Sequence, residues 1–166
     1  TRLPGEEKRL AVALLIDESG SMGWGDRMTH ARKTAIVLYD FCKSLGIPIT
    51  IYGHSTDAGG VALYSYAEFD SVDNEDCYRL MDMCDRNGNR DGAALRFVAE
   101  HLCTRPELQK LLIKKEYEKR DVILFAAAIG DDKENIRRIY KDGFLDITKL
   151  EELRKNMAQL VKQHLK

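Results

Sequence analysis

The feature that most constrains the fold is an apolar segment near the start of the chain, Arg9 to Ile16, which ends at Asp17. Nearly all of its residues are apolar, so it lacks the alternation of a strand with one face in water. Such a run indicates a strand that is buried on both faces, as in a parallel sheet covered by helices above and below. The segment therefore favours a mixed helix and strand protein.

Helical and strand-like patterns alternate along the rest of the chain. Apolar residues recur at steps of three and four from Arg27 to Leu45, which predicts a helix. Strands are predicted over Ile47–Tyr52 and Val61–Phe69, with a polar loop over Gly53–Gly60 between them. Further helices are predicted over 76–84, 93–103, 133–141 and 150–164, and further strands over 122–129 and 144–147. This order predicts an α/β fold with a mainly parallel sheet.

Composition limits the class of protein. The chain has 166 residues, 44% hydrophobic and 32% charged, which predicts a single globular domain over 1–166. The formal net charge of -1 gives no overall attraction to nucleic acid or to an anionic membrane. No apolar run approaches the roughly 20 residues that a membrane helix needs. The four cysteines form no Cys-x-x-Cys pair, which favours buried free thiols and a cytoplasmic protein.

Asp17 is followed by two serines at alternate positions, Ser19 and Ser21. A carboxylate and two hydroxyls are hard oxygen donors that suit Mg²⁺, and Gly20 permits the turn that would direct them to one point. A phosphate-binding loop is excluded because the segment has no Gly-Lys-Ser/Thr and carries an acid. A nucleophilic Ser21 fits poorly because Ser19 replaces the first glycine of Gly-x-Ser-x-Gly. The residues alone leave a metal site and a helix-capping polar turn as alternatives.

The Asp-x-Ser-x-Ser pattern over 17–21, after an apolar strand and before a helix, resembles the metal-ion-dependent adhesion site of von Willebrand factor A-type domains. Three further stretches, Arg90–Arg96, Lys110–Ile113 and Ala127–Gly130, resemble the A-type domains of nitric-oxide-reductase activation proteins and of the cobalt-chelatase subunit CobT. The similarity extends over essentially the whole chain. It implies a three-layer, doubly wound sheet with helices on both faces.

The resemblance implies a protein-interaction module rather than an enzyme. It implies Mg²⁺ or Mn²⁺ at the carboxyl edge of the sheet, completed by an Asp or Glu of a protein partner. Proteins of this branch work beside AAA+ ATPases of the MoxR type in activating or metallating a client such as nitric-oxide reductase. Residue by residue, the resemblance assigns the metal to Asp17, Ser19 and Ser21. It adds Asp91, directly or through water, where many A-type domains have threonine.

The alternative function is a small metal-dependent hydrolase that uses the same loop of Asp17, Ser19 and Ser21. Such an enzyme needs a general base held near the reacting group. The sequence offers no compelling base beside the motif, so we expect a binding domain rather than an enzyme.

One part of the pattern departs from this family. The family's third metal loop is a Ser-Asp-Gly after the fourth strand, but here Leu111–Ile113 runs directly into the charged segment Lys114–Arg120. A parallel crossover needs about a dozen residues, and this linker supplies about seven. Either Leu111–Ile113 is not a strand, or a segment is missing between Ile113 and Lys114. We expect the second, and with it the loss of one ligand of the metal, which would leave the site empty. Because Thr1 is not a methionine, we also expect the C-terminal part of a longer protein.

Three residues are candidates for contact with the protein partner. Trp24, the only tryptophan, lies between two glycines just after the motif. It is either a partner contact, since tryptophan is enriched in binding hot spots, or a lid packed on the domain. His54 and Asp57 follow the second predicted strand, where they either contact the partner or belong to a solvated loop.

Overall fold

The computed structural model describes residues 10–104, 126–128, 138, 144–146, 152–153, 155–156, 158–159 and 162. The junction between Ile113 and Lys114 lies outside these residues, so the expectation of a missing segment there stays a prediction. The same is true of most of the predicted helix over 133–141, of which residue 138 is described and is helical.

Short strands and helices alternate along the described chain. The strands are β1 (Val12–Asp17), β2 (Ile49–Asp57), β3 (Gly60–Ala67), β4 (Ala126–Ala128) and β5 (Phe144–Asp146). The helices are α1 (Arg27–Ser44), α2 (Asp76–Arg79) and α3 (Asp91–Cys103), and 3₁₀ turns cover Gly20–Gly23 and Leu80–Asp82. These elements confirm the predicted α/β class.

The strands pair in two groups. β2 lies between β1 and β3, parallel to β1 and antiparallel to β3, while β4 and β5 form a separate parallel pair. The register of the parallel pair sets Asp17, the last residue of β1, opposite His54 of β2. Because β2 continues to Asp57, the β2–β3 hairpin extends beyond the end of β1.

Strand β2 is buried from Ile49 to Ser55 because both of its faces are covered. On one face, Ile49 and Ile51 belong to the hydrophobic core that includes Ala35 and Cys42 of α1. On the other face, the Tyr52 ring meets the rings of Phe97 and His101 of α3 edge-on, at centroid distances of 5.7 and 5.9 Å. The two helices therefore cover opposite faces of the strand, since neighbouring residues of a strand point to opposite sides.

The polar end of β2 corrects the sequence prediction. Gly53 to Gly60 was expected to be a loop, but the strand continues through this segment to Asp57. Its polar groups are satisfied by the loop before α3: the Asn87 N–H donates to Ser55 Oγ at 3.0 Å, and the Thr56 N–H donates to the Gly88 carbonyl at 3.0 Å. Ser55 and Thr56 can thus continue the strand because the loop before α3 supplies their hydrogen-bond partners.

The helices differ from prediction in their bounds. The helix predicted over 76–84 is a single turn of α-helix, α2, which continues as the 3₁₀ turn Leu80–Asp82. Helix α3 begins at Asp91, two residues earlier than predicted. In the helical C-terminal segment, Leu153 is 3% exposed and lies in the core cluster, so this segment packs on the core at that residue.

The cysteines confirm the predicted buried thiols in part. Cys42 is fully buried on α1, and burial raises the pKa of its thiol to about 12. Cys77 and Cys84 are free and exposed, so the expectation of buried thiols is wrong for these two.

Membrane-spanning helices were not expected. Over the residues that the structure describes, none of the helices combines the length and apolar character needed to cross a bilayer.

Candidate functional site

The loop after β1 groups the three predicted metal ligands. The Ser19 N–H donates to Asp17 Oδ1 at 2.8 Å, which folds the chain back on the carboxylate as an Asx turn. The 3₁₀ turn Gly20–Gly23 then brings the Ser21 hydroxyl to 3.1 Å from the Ser19 hydroxyl. One carboxylate and two hydroxyls therefore lie together at the carboxyl end of a strand. We call residues 17–23 the first loop.

A second loop, residues 85–90, lies against the first loop. The Arg86 N–H donates to the Glu18 carbonyl at 2.7 Å, and the Gly20 N–H donates to the Asn87 carbonyl at 2.6 Å. On its other side, the second loop is bound to the end of β2 through Gly88 and Thr56. These backbone hydrogen bonds fix the second loop between the first loop and the hairpin.

Asn89 of the second loop reaches the candidate metal site. Its Nδ2 donates to Asp17 Oδ2 at 3.0 Å, across a sequence separation of 72 residues. This residue is not among the ligands predicted from the sequence. The available signal was weak: a polar residue in the turn before α3, two positions before the predicted ligand Asp91.

Asp91, the fourth predicted ligand, begins α3. Its side chain is 68% exposed, and its Oδ1 lies 3.5 Å from Nε2 of His54, which is opposite Asp17 in the sheet. Its role as a metal ligand stays a prediction, while Asn89 contacts Asp17 directly.

Glu18, the second residue of the first loop, is fully buried, although it is not among the residues predicted from the sequence. Its Oε2 accepts a hydrogen bond from Nε of Arg86 at 2.8 Å, and its Oε1 accepts one from the Tyr66 hydroxyl. The Arg86 guanidinium lies over the Tyr64 ring, 3.7 Å from its centroid. Burial, and then the hydrogen bond to Glu18, raise the pKa of Tyr66, so its hydroxyl remains a donor. The charge of Glu18 is thus paired and hydrogen-bonded, as a buried charge requires.

Gly53 makes room for the Glu18 carboxylate. A Cβ atom at this position would lie 2.8 Å from Glu18 Oε2, closer than side chains pack. The glycine in the middle of β2 therefore reflects the close approach of a side chain to the strand, a recognised reason for glycine in a strand.

A cleft of about 470 Å³ opens beside the candidate site. One wall is the hairpin turn, residues 56–60, and the other is residues 87–90 of the second loop. Asn89 belongs both to this wall and to the contact with Asp17, so the cleft adjoins the candidate metal site.

The candidate partner residues differ in exposure. Trp24 is 76% exposed, so it is not a lid packed on the described part of the domain. His54 is 3% exposed inside β2, so its side chain has no surface to offer a partner. Asp57 is exposed at the hairpin turn, and its Oδ1 accepts the Ala58 N–H at 2.7 Å.

The donor set of the first loop suits a hard divalent cation. Within the described ranges, no three His, Cys, Asp or Glu side chains form a metal-binding group. The grouping at Asp17 instead combines one carboxylate with the Ser19 and Ser21 hydroxyls, which are oxygen donors of the kind that Mg²⁺ binds. The residues present therefore fit the implied metal, while the junction after Ile113, where the third metal loop of the family would be, lies outside the described residues.

No family model matches the chain, and no curated protein sequence does. Solved structures do match. Proximal thread matrix protein 1 from the mussel byssus is 16% identical with a TM-score of 0.54, over 90% of this chain and 45% of that one. A von Willebrand factor type A protein from Catenulispora acidiphila is 12% identical with a TM-score of 0.53, over 92% of this chain and 42% of that one.

This chain spans less than half the length of each of these two structures. At identities of 16% and 12%, the likeness concerns the fold alone. The chain has a von Willebrand factor A-like α/β fold, which confirms the resemblance at that level.

Proposed function

We propose that this chain is a metal-dependent protein-interaction domain, in which Asp17, Ser19 and Ser21 bind Mg²⁺ or Mn²⁺. The observation that supports this most strongly is the grouping of the two hydroxyls, 3.1 Å apart, beside the Asp17 carboxylate. Bound there, the metal would supply an electrophilic centre, because the loop gives it only one formal negative charge. An Asp or Glu of a protein partner would complete its ligand shell.

Asn89 and Asp91 complete the proposed site from the second loop and α3. The Asn89 amide now donates to Asp17, but the same side chain carries a carbonyl oxygen, which is a hard donor that a rotation of the amide would present. Asp91 is exposed and would act directly or through water. We therefore add Asn89 to the four ligands predicted from the sequence.

We also propose that the domain is not an enzyme. His54 is the histidine opposite Asp17 in the sheet, but its ring is buried and its Nε2 faces Asp91. A buried ring in this position does not reach a substrate bound outside Asp17, so it is poorly placed as a general base. No observation favours the hydrolase alternative. Magnesium-dependent hydrolysis of a phosphate or carboxylate ester that Asp17→Ala abolishes would contradict this proposal.

We extend the proposal to the partner and to the full fold. The stretch Arg90–Arg96 resembles nitric-oxide-reductase activation proteins and CobT, which favours a MoxR-type AAA+ ATPase as partner and the activation or metallation of a client, in the cytoplasm. The von Willebrand factor A-like fold is consistent with this. We infer that β4 and β5 belong to the same doubly wound, three-layer sheet as β1 to β3.

A pull-down of a purified MoxR-type ATPase tests the proposal. We expect capture by the wild-type chain in Mg²⁺, loss of capture in EDTA, and loss of capture with Asp17→Ala. The matched control is Asp40→Ala, which removes an exposed carboxylate on α1 and should leave capture unchanged. Capture that needs neither Mg²⁺ nor Asp17 would overturn the mechanism.

Thermal unfolding tests metal binding independently of partner binding. We expect Mg²⁺ to raise the unfolding temperature of the wild type and of Asp40→Ala, but not that of Asp17→Ala, because a ligand that binds only the folded state stabilises it. A metal-dependent shift without capture would mean that the domain binds metal and that the ATPase is the wrong partner.

A further inference from the structure

Apart from Asn89, the residues that line the cleft beside Asp17 take no part in the proposed metal site. We propose that the cleft binds a second carboxylate of the protein partner, held by Arg90, next to the carboxylate that binds the metal. This inference rests on the proposed function and adds to it the chemistry of the partner: a segment with two acidic side chains close together in the sequence.

The cleft exists because β2 is longer than β1. His54 is opposite Asp17, and β2 continues from there to Asp57, so the hairpin extends past the end of β1 by three residues, about 10 Å of strand. The second loop runs alongside this extension. The Thr56 N–H donates to the Gly88 carbonyl at 3.0 Å, and the Gly88 N–H donates to Thr56 Oγ1 at 2.9 Å. The two walls are thus bound to each other at the base of the cleft.

Gly88 keeps the base of the cleft narrow. A Cβ atom on this residue would lie 2.7 Å from Thr56 Oγ1, so a larger residue would displace either the Thr56 hydroxyl, and with it the hydrogen bond to Gly88, or the second loop. The cleft that remains, about 470 Å³, falls in the roughly 300–1,000 Å³ range of ligand sites.

Arg90 is the one cation among the residues that line the cleft. Asp57, the one acid of the lining, lies at the hairpin turn, where its Oδ1 accepts the Ala58 N–H. Arg90 is exposed, and its side chain has no hydrogen bond or ion pair to any residue that the structure describes. A guanidinium group binds a carboxylate through two parallel hydrogen bonds, so an acidic side chain is the ligand that matches it.

The position of Arg90 sets the spacing of the two acids. Arg90 follows Asn89, whose Nδ2 lies 3.0 Å from Asp17 Oδ2, and consecutive Cα atoms are about 3.8 Å apart. An extended partner segment advances about 3.3 Å per residue. A second acid one to three residues from the metal-binding acid would therefore reach the Arg90 wall.

Fluorescence polarisation with labelled peptides tests this inference. The probes are Gly/Ser peptides that carry two aspartates separated by one residue or by two, and matched peptides in which the second aspartate is asparagine. We expect the two-acid peptides to bind the wild type in Mg²⁺ roughly three- to tenfold more tightly than the matched peptides. Arg90→Gln should abolish this preference, so that two-acid and one-acid peptides bind the variant with equal affinity. Arg96→Gln, which removes an exposed charge elsewhere on α3, should keep the preference.

The outcomes distinguish this inference from the proposed function. If the one-acid peptide binds only with Mg²⁺ and intact Asp17 but the second acid gives no gain, the cleft inference is wrong and the metal mechanism stands. A gain that persists in Arg90→Gln would also overturn the inference. If neither peptide binds in a Mg²⁺-dependent way, the proposed function fails and the inference fails with it.

Discussion

Glu18 Oε2 lies 2.8 Å from Nε of Arg86, and this ion pair joins the first and second loops across 68 residues of sequence. The carboxylate is fully buried, whereas the guanidinium is 27% exposed. Loss of the arginine would leave an uncompensated charge in the interior, while loss of the carboxylate would leave a cation that water can still reach. The two partners should therefore differ in their sensitivity to substitution.

We expect Arg86→Met to lower the free energy of unfolding by about 3–5 kcal/mol, the usual cost of breaking a buried ion pair from one side. Glu18→Gln, which keeps the shape of the side chain, should cost less. Urea unfolding followed by circular dichroism measures both. Arg96→Met, an equal substitution at an exposed position of α3, is the control and should stay within about 0.5 kcal/mol of wild type. Equal costs for Arg86→Met and Arg96→Met would show that the ion pair contributes little.

Asn89→Asp should change stability in opposite directions with and without metal. Without metal, a second carboxylate beside Asp17 replaces a donor with a repelling charge, so the unfolding temperature should fall. With saturating Mg²⁺, the added negative ligand should strengthen binding roughly tenfold, since ligand charge tunes cation affinity. Differential scanning fluorimetry in EDTA and in Mg²⁺, with isothermal titration calorimetry, checks both effects. The control is Asn74→Asp at an exposed position, and weaker Mg²⁺ binding by Asn89→Asp would remove this residue from the site.

Trp24→Ala should weaken partner binding and leave the fold intact. The side chain is 76% exposed, so its removal should change the free energy of unfolding by no more than about 0.5 kcal/mol. If it is a hot spot for the partner, the dissociation constant should rise about tenfold or more. Surface plasmon resonance measures the affinity and circular dichroism the stability. Tyr78→Ala, at an exposed aromatic residue on α2, is the matched control; a similar loss of affinity in both variants would argue against a specific role for Trp24.

Alkaline pH should destabilise the fold through Tyr52. Burial, and then the hydrogen bond to Glu68, raise the pKa of Tyr52 to about 12 from its ordinary value of 10.0. Between these two values the unfolded chain releases the phenol proton and the folded chain keeps it, so stability falls as pH rises. The contribution of Tyr52 to the free energy of unfolding is complete below pH 10.0 and is lost as pH rises toward 12.

Tyr52→Phe cannot ionise, so its urea midpoint should fall less between pH 9.5 and 11.5 than that of wild type, by the linkage relation. Tyr78→Phe, where the ring is 72% exposed, should follow the wild-type pH profile. If the urea midpoint of Tyr52→Phe falls with pH as much as that of wild type, other groups cause the loss of stability at alkaline pH.

Periodicity predicted the elements whose burial follows a regular pattern. Helix α1 begins at Arg27 as expected, because its apolar residues recur on one face. The extension of β2 through Ser55 and Thr56 was not predictable, because these polar residues are typical of loops unless partners are known. Their partners, Asn87 and Gly88, lie more than 30 residues further along the chain.

The candidate site was predictable only in its local part. Asp17, Ser19 and Ser21 are within five positions, so their spacing alone predicts that they come together. The buried position of Glu18 depends on Arg86, and the contact of Asn89 with Asp17 spans 72 residues. No local pattern specifies such pairs, because they arise from the way the second loop packs on the first.

The contact between Asp17 and Asn89 also has a consequence for synthesis of the protein. The ribosome adds residue 89 to the chain 72 residues after residue 17. At translation rates of about 5–20 residues per second, this delay is roughly 4 to 14 seconds. During this interval the first loop has been synthesised, but the second loop, which carries Asn89, has not. A nascent chain therefore cannot form the contact between Asp17 and Asn89 until translation has passed residue 89.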